Sequence, residues 1–188
     1  MTFVSWFKFF SITLLLGLAA TYLTTFVLGW EEVRLGLDPK EVLSGVGLIT
    51  LLGFMVGMIS HTLFFSHQFI HGFALSILGA WMWKATQIVL IGLAIFDLSY
   101  FGYYGWAAVI LAISITVSIY KVKQTNPNAA IPTAFYMVAA TVLGAFYAFK
   151  LGNVLFIGLF CVPLLLCNAW QILMLPKFLN KKQTSSAN

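Results

Sequence analysis

Charged residues are scarce in this chain: only 8% of its 188 residues are Asp, Glu, Lys or Arg, whereas 61% are hydrophobic. A soluble domain of this size carries about a quarter charged residues. Too few polar side chains remain to cover a surface that faces water. We therefore expect a lipid bilayer to surround the protein. Because the apolar runs are long and continuous, we predict that helices pair the backbone polar groups.

Cysteine is almost absent as well. Cys161 and Cys167 lie in the same apolar segment, and the sequence contains no CxxC motif. A disulfide between residues six apart on one helix would have poor geometry. We interpret both cysteines as small apolar helix residues.

Acidic residues number only five, and the sequence shows no nucleophile elbow, phosphate loop or paired-carboxylate site. We therefore predict no enzymatic activity and no cofactor. The net charge of +5 does not indicate nucleic-acid binding, because the basic residues are scattered at the ends of apolar segments. That distribution is typical of topology signals in membrane proteins.

Six apolar segments predict an all-α bundle of about six transmembrane helices, with a tight turn at Lys150–Asn153. The stretch from Phe73 to Tyr104 is too long for one straight crossing. We interpret residues 68–83 as an interfacial or re-entrant segment before the third helix, with one long tilted helix as the alternative. The predicted helices span about 7–28, 42–65, 83–100, 102–120, 133–149 and 154–175.

The positions of Lys and Arg predict the orientation. With the N-terminus in the cytoplasm and six crossings, seven of the ten basic residues lie inside and all five acids lie outside. We therefore expect a multi-pass protein of the cell membrane with both termini in the cytoplasm. Residues 1–176 would form one transmembrane domain, and residues 177–188 a basic, disordered cytoplasmic tail.

Lys84 and Asp97 lie near the two ends of the third predicted helix. Lys84 would anchor the cytoplasmic end by extending its long side chain to the headgroups. Asp97 follows thirteen residues later, about 20 Å along a helix. It is either an interfacial carboxylate at the helix exit or a carboxylate facing the bundle interior. The second interpretation would make it a functional candidate.

Other candidates lie deeper in the apolar segments. Gln87 lies on predicted helix three, and Asn168 and Gln171 lie on one face of predicted helix six. Amide side chains at such depths typically form hydrogen bonds between helices. A polar substrate path is the alternative. Gly53 and Gly57 form a small-xxx-small spacing that predicts close helix packing.

All three histidines, His61, His67 and His71, fall within eleven residues. His67 and His71 share a helical face, and such a pair can hold a metal ion or haem. No Cys, Asp or Glu is nearby on the cytoplasmic side to complete a ligand set. We interpret the three side chains as interfacial imidazoles and keep metal binding as a weak alternative.

The runs HGFALSIL and WKATQIVLIGLAIFDLSYFGYY, together with flanking residues from about Gly57 to Tyr104, resemble the KinB-signalling pathway activation (KbaA-like) family. These are small polytopic membrane proteins of endospore-forming bacteria. The resemblance implies a non-enzymatic accessory that activates a membrane sensor histidine kinase feeding the sporulation phosphorelay. It brings no catalytic residues.

Three functions therefore remain as hypotheses. The first is the signalling accessory, which would contact membrane lipids and a sensor histidine kinase. Assembly of the chain into a homo-oligomer is compatible with this hypothesis. The second is a small-molecule or lipid carrier with a polar path past Asp97, Gln87 and Asn168. The third is a membrane enzyme, or a metal or haem binder, that uses the three histidines.

Overall fold

A computed structural model describes residues 3–28 and 39–180, with side chains for 3–28 and 44–178. Residues 29–38, which contain three of the acids predicted to lie outside, are not among the described residues. The same is true of residues 181–188, most of the predicted tail.

The described residues fold into six α-helices and one short 3₁₀ turn, Pro127–Ala129, and no strand occurs among them. The predicted all-α class is confirmed for this part of the chain. Four helical segments are long and apolar enough to cross a membrane: Phe3–Leu28, Ser44–Tyr100, Tyr104–Gln124 and Val154–Phe178. The helices are α1 (Phe3–Leu28), α2 (Pro39–Tyr100), α3 (Tyr104–Gln124), α4 (Ala130–Gly144), α5 (Phe146–Leu151) and α6 (Val154–Asn180).

Helix α2 is interrupted at Gly79, whose backbone (φ 74°, ψ 166°) is not helical. Beyond this break, Nε1 of Trp83 donates a hydrogen bond to Nδ1 of His71 at 2.8 Å. On a straight helix these residues would lie about 18 Å apart along the axis, beyond the reach of their side chains. The chain therefore folds back at Gly79. The second predicted helix was expected to end near Phe65 and instead continues to residue 78.

The chain divides into two compact units. The first contains residues up to His61 and from Gly144 onward, and in it α1 packs along α6. The second unit is Thr62–Leu143, which contains the fold-back of α2, helix α3 and most of α4. Each unit has its own buried interior.

Three glycines bring the backbones of α1 and α2 into direct contact. A Cβ atom added to Gly17 would lie 2.8 Å from the carbonyl oxygen of Gly53. One added to Gly53 would lie 2.7 Å from Cα of Leu18, and one on Gly57 2.9 Å from Cα of Leu14. Side chains cannot occupy such space without moving a backbone, so glycine sets the distance between these helices.

Glycine also ends α2. Gly102 has a positive φ of 86°, and its N–H bonds to the carbonyl of Ser99 at 2.9 Å. The N–H of Tyr103 bonds to the carbonyl of Leu98 at 2.8 Å. This pair of bonds is the Schellman motif, which closes a helix around a left-handed residue. The polypeptide passes into α3 within three residues.

The connection between α5 and α6 is equally short. Gly152 adopts a left-handed conformation with φ 70° after the last residue of α5. Oδ1 of Asn153 then accepts the backbone N–H groups of Leu155 and Phe156 at 2.9 and 3.2 Å. This side chain caps the free N–H groups that begin a helix. The tight turn predicted at Lys150–Asn153 is confirmed.

Candidate functional site

A cluster of four polar side chains lies in the interior of the first unit, all of them fully buried. We call Thr13, Ser60, Asn168 and Gln171 the polar core. The Ser60 hydroxyl lies within hydrogen-bond distance of the side-chain oxygens of Asn168 (2.8 Å) and Gln171 (3.2 Å). Nε2 of Gln171 donates to Oγ1 of Thr13 at 3.4 Å. The polar core therefore joins α1, α2 and α6.

Sequence reasoning identified only half of the polar core. Asn168 and Gln171 stand out as amides in an apolar helix. Thr13 and Ser60 do not, because hydroxyls in membrane helices usually bond the backbone carbonyl of their own preceding turn. Thr13 makes that bond too, donating to the carbonyl of Phe9 at 2.9 Å. Only the packing of three helices reveals its second contact.

His61 also lies in the first unit, where it is buried among aromatic rings. Its ring centre lies 4.8 Å from that of Phe10, 5.8 Å from that of Trp6 and 6.0 Å from that of Phe9. Among the described residues, no group of three His, Cys, Asp or Glu side chains could hold a metal ion. The metal alternative therefore finds no three-ligand set in that part of the chain.

His67 and His71 belong to the second unit and line its fold-back. The ring of His67 lies 5.1 Å from that of Tyr136 and 5.7 Å from that of His71. His71 accepts the Trp83 hydrogen bond, and Trp83 meets the edge of Phe135 at 5.9 Å. We call these five residues the ring cluster. The ring cluster packs the parts of α2 before and after Gly79 against α4. Both imidazoles therefore lie in contacts between helices.

Gln87 follows Trp83 by one helical turn and is fully buried. Within the described residues, neither atom of its side-chain amide has a hydrogen-bond partner. A buried polar group without a partner costs about 1–3 kcal/mol. Within the described residues, the Gln87 amide therefore makes no hydrogen bond that would offset this cost.

Lys84 and Asp97 differ in their surroundings. Nζ of Lys84 donates to Oδ1 of Asn128 at 2.9 Å, and the lysine side chain is half-buried. Asp97 lies in the last turn of α2, where its backbone carbonyl accepts the N–H of Phe101 at 3.0 Å. Its carboxylate is exposed.

Apolar helices of membrane-spanning length, and polar groups bonded between helices in the interior, are features of polytopic helical membrane proteins. The sequence model of the KbaA family, described as KinB-signalling pathway activation in sporulation, matches residues 17–178. The chain belongs to this family, so the resemblance inferred from its central segment is confirmed.

One relative is the KinB-signaling pathway activation protein of Bacillus subtilis (strain 168). It is 31% identical over 191 residues, which cover 93% of this chain and 96% of the relative. No solved structure matches the chain.

Proposed function

We propose that this chain is a non-enzymatic membrane accessory that activates a sensor histidine kinase and thereby feeds the sporulation phosphorelay. The observation that carries the proposal is the 31% identity, which extends over almost the full length of both proteins. The relative's name refers to activation of KinB signalling, so a KinB-like kinase is the proposed partner.

The proposed topology has six crossings of the cell membrane, with both termini in the cytoplasm. The fold-back at Gly79 supports counting α2 as two crossings, since its arms run in different directions. Helices α4 and α5 together would form the fifth crossing, and α6 the sixth. Residues 1–176 would then be the transmembrane domain, and residues 177–188 the cytoplasmic tail.

The proposed mechanism is binding that discriminates between two states of the kinase. An accessory can shift such an equilibrium only by the difference between its affinities for the two states. To discriminate between the two kinase states, the accessory needs a binding face on its helices that keeps one shape. The glycine contacts between α1 and α2 and the polar core support this mechanism, because they hold three helices in one register.

The test is genetic and uses the intact chain. In the spore-forming host, deletion of the gene should lower both the count of heat-resistant spores and kinase-dependent transcription. Expression of the chain should restore both. In a strain that already lacks the KinB-like kinase, the deletion should have no further effect. A further decrease in that strain would show that the chain acts elsewhere.

A carrier is the second candidate, and one observation favours it: the buried amide of Gln87 has no partner within the described residues. A polar solute could supply one. Uptake of a solute by proteoliposomes, abolished by Gln87→Met in a variant that stays folded, would replace the signalling proposal.

A further inference from the structure

An open apolar groove runs along the second unit, where the second arm of α2 meets α3 and the start of α4. Its volume is about 410 Å³, within the range of about 300–1,000 Å³ that is usual for ligand sites. Five of its ten lining residues are isoleucines. We call it the isoleucine groove, and its main lining residues are Ile88, Ile91, Ile115, Ile119 and Ile131.

Two lysines mark one end of this groove. Lys84 precedes Ile88 by four residues and Ile91 by seven, so all three share one face of α2. Lys123 lines the groove from the last turn of α3. The hydrogen bond from Lys84 to Asn128, which lies in the short turn after α3, brings Lys84 to the same end as Lys123.

No carboxylate compensates these charges in the part of the chain whose side chains are described. Asp97 is the only acid there, and it lies thirteen residues beyond Lys84, about 20 Å along the helix. The amide oxygen of Asn128 orients the Lys84 ammonium group without neutralising it. The groove therefore combines long apolar walls with a cationic end.

We propose that the isoleucine groove binds an anionic phospholipid, with one acyl chain along its walls and the phosphate between Lys84 and Lys123. The apolar walls match a hydrocarbon chain, and basic residues at a membrane surface attract anionic headgroups. This inference rests on the membrane location proposed above but not on the kinase-activating role. Both walls belong to one unit of one chain, so the site needs no partner protein.

The test is lipid retention by the purified full-length protein. The protein would first be placed in nanodiscs that contain equal amounts of phosphatidylglycerol and phosphatidylcholine with identical acyl chains. It would then be released into detergent, and its bound lipids would be counted by native mass spectrometry. We expect the protein to retain phosphatidylglycerol preferentially. The double variant Lys84→Gln/Lys123→Gln should retain at least about fivefold less. Lys150→Gln/Lys177→Gln removes the same charge elsewhere and should retain as much as the unaltered chain.

A second measurement needs no variant. A phosphatidylglycerol with a photoreactive acyl chain should label residues 88–91 and 115–119 of the unaltered protein. Equal retention of both lipids, equal loss in the two double variants, or labelling only outside the groove would each overturn the proposal. No kinase is present in these assays, so they can fail while the spore-formation test succeeds, and the reverse.

Discussion

The hydroxyl of Ser60 lies 2.8 Å from Oδ1 of Asn168, a residue 108 positions later in the chain. Both side chains are fully buried, and the bond links α2 to α6. Hydrogen bonds between membrane helices contribute about 0.6 kcal/mol on average and up to about 1.7 kcal/mol. The bond also fixes the rotation of each helix, since either helix would break it by turning.

Ser60→Ala should therefore lower the free energy of unfolding by about 0.6–1.7 kcal/mol. Denaturant titration of the protein in mild detergent, followed by circular dichroism, measures this change. Ser76→Ala is the matched control, because the Ser76 hydroxyl is exposed and bonds only the carbonyl of Phe73 in its own helix. Equal effects of the two substitutions would contradict a stabilising role for the polar core.

Substitution of Gly53 by alanine tests the contact between α1 and α2. The new Cβ would lie 2.7 Å from Cα of Leu18, so the two backbones must separate. We expect a loss of about 1–3 kcal/mol, the usual cost of overpacking. Gly57→Ala should behave in the same way, since its Cβ would meet Cα of Leu14 at 2.9 Å.

Gly45 and Gly47 provide the controls on the same helix. A Cβ at either position meets no atom of the described residues within 4 Å. Alanine there should leave the stability unchanged or raise it by up to about 1 kcal/mol, because alanine is the better helix former. Thermal melts of all four variants give the comparison. Equal melting temperatures for all four variants would contradict close packing at Gly53 and Gly57.

Gly79→Ala should destabilise the fold-back of α2. The backbone at this position, φ 74° and ψ 166°, is a conformation that residues with a Cβ adopt only under strain of about 1–3 kcal/mol. Gly92→Ala on the same helix is the control. Gly92 has a helical backbone, and a Cβ there would meet no described atom within 4 Å, so this substitution should not destabilise the protein. A lower melting temperature for the first variant alone is the expected result, and equal melting temperatures would count against the fold-back.

The two buried glutamines should respond in opposite directions to the same change. Gln87→Met removes an amide without a described partner and should raise the free energy of unfolding by about 1–3 kcal/mol. Gln171→Met removes the contacts to Ser60 and Thr13 and should lower it. Denaturant titration of both variants measures the signs. If Gln87→Met also lowered the free energy of unfolding, the Gln87 amide would have a hydrogen-bond partner in the folded protein.

Composition and apolar run length were enough to predict the class of fold and most of its helices. Helix α3 begins and ends within four residues of the predicted bounds, and the turn around Gly152 lies where it was expected. These features depend on local sequence, namely continuous hydrophobicity and a glycine beside an asparagine. The central segment likewise carried enough of the family's pattern for its membership to be inferred.

The break at Gly79 could not be located in the same way. Gly72 and Gly79 look alike in the sequence, and both interrupt an apolar run. Of the two, only Gly79 leaves the helical conformation, and the hydrogen bond across the fold-back joins Trp83 to His71, twelve residues earlier, a contact that local sequence does not reveal. The absence of a described partner for Gln87 was equally unpredictable, since a partner would have to come from another helix.

In the topology proposed above, the fold-back at Gly79 determines whether the number of membrane crossings is odd or even. If residues 39–100 formed one straight helix, the chain would cross the membrane one time fewer. Every later connector would then lie in the opposite compartment. Relative to the proposed topology, Lys121 and Lys123 would then emerge on the outer side, against the charge asymmetry that orients membrane proteins. In the proposed topology, a single glycine thus determines the compartment into which each connector after residue 100 emerges.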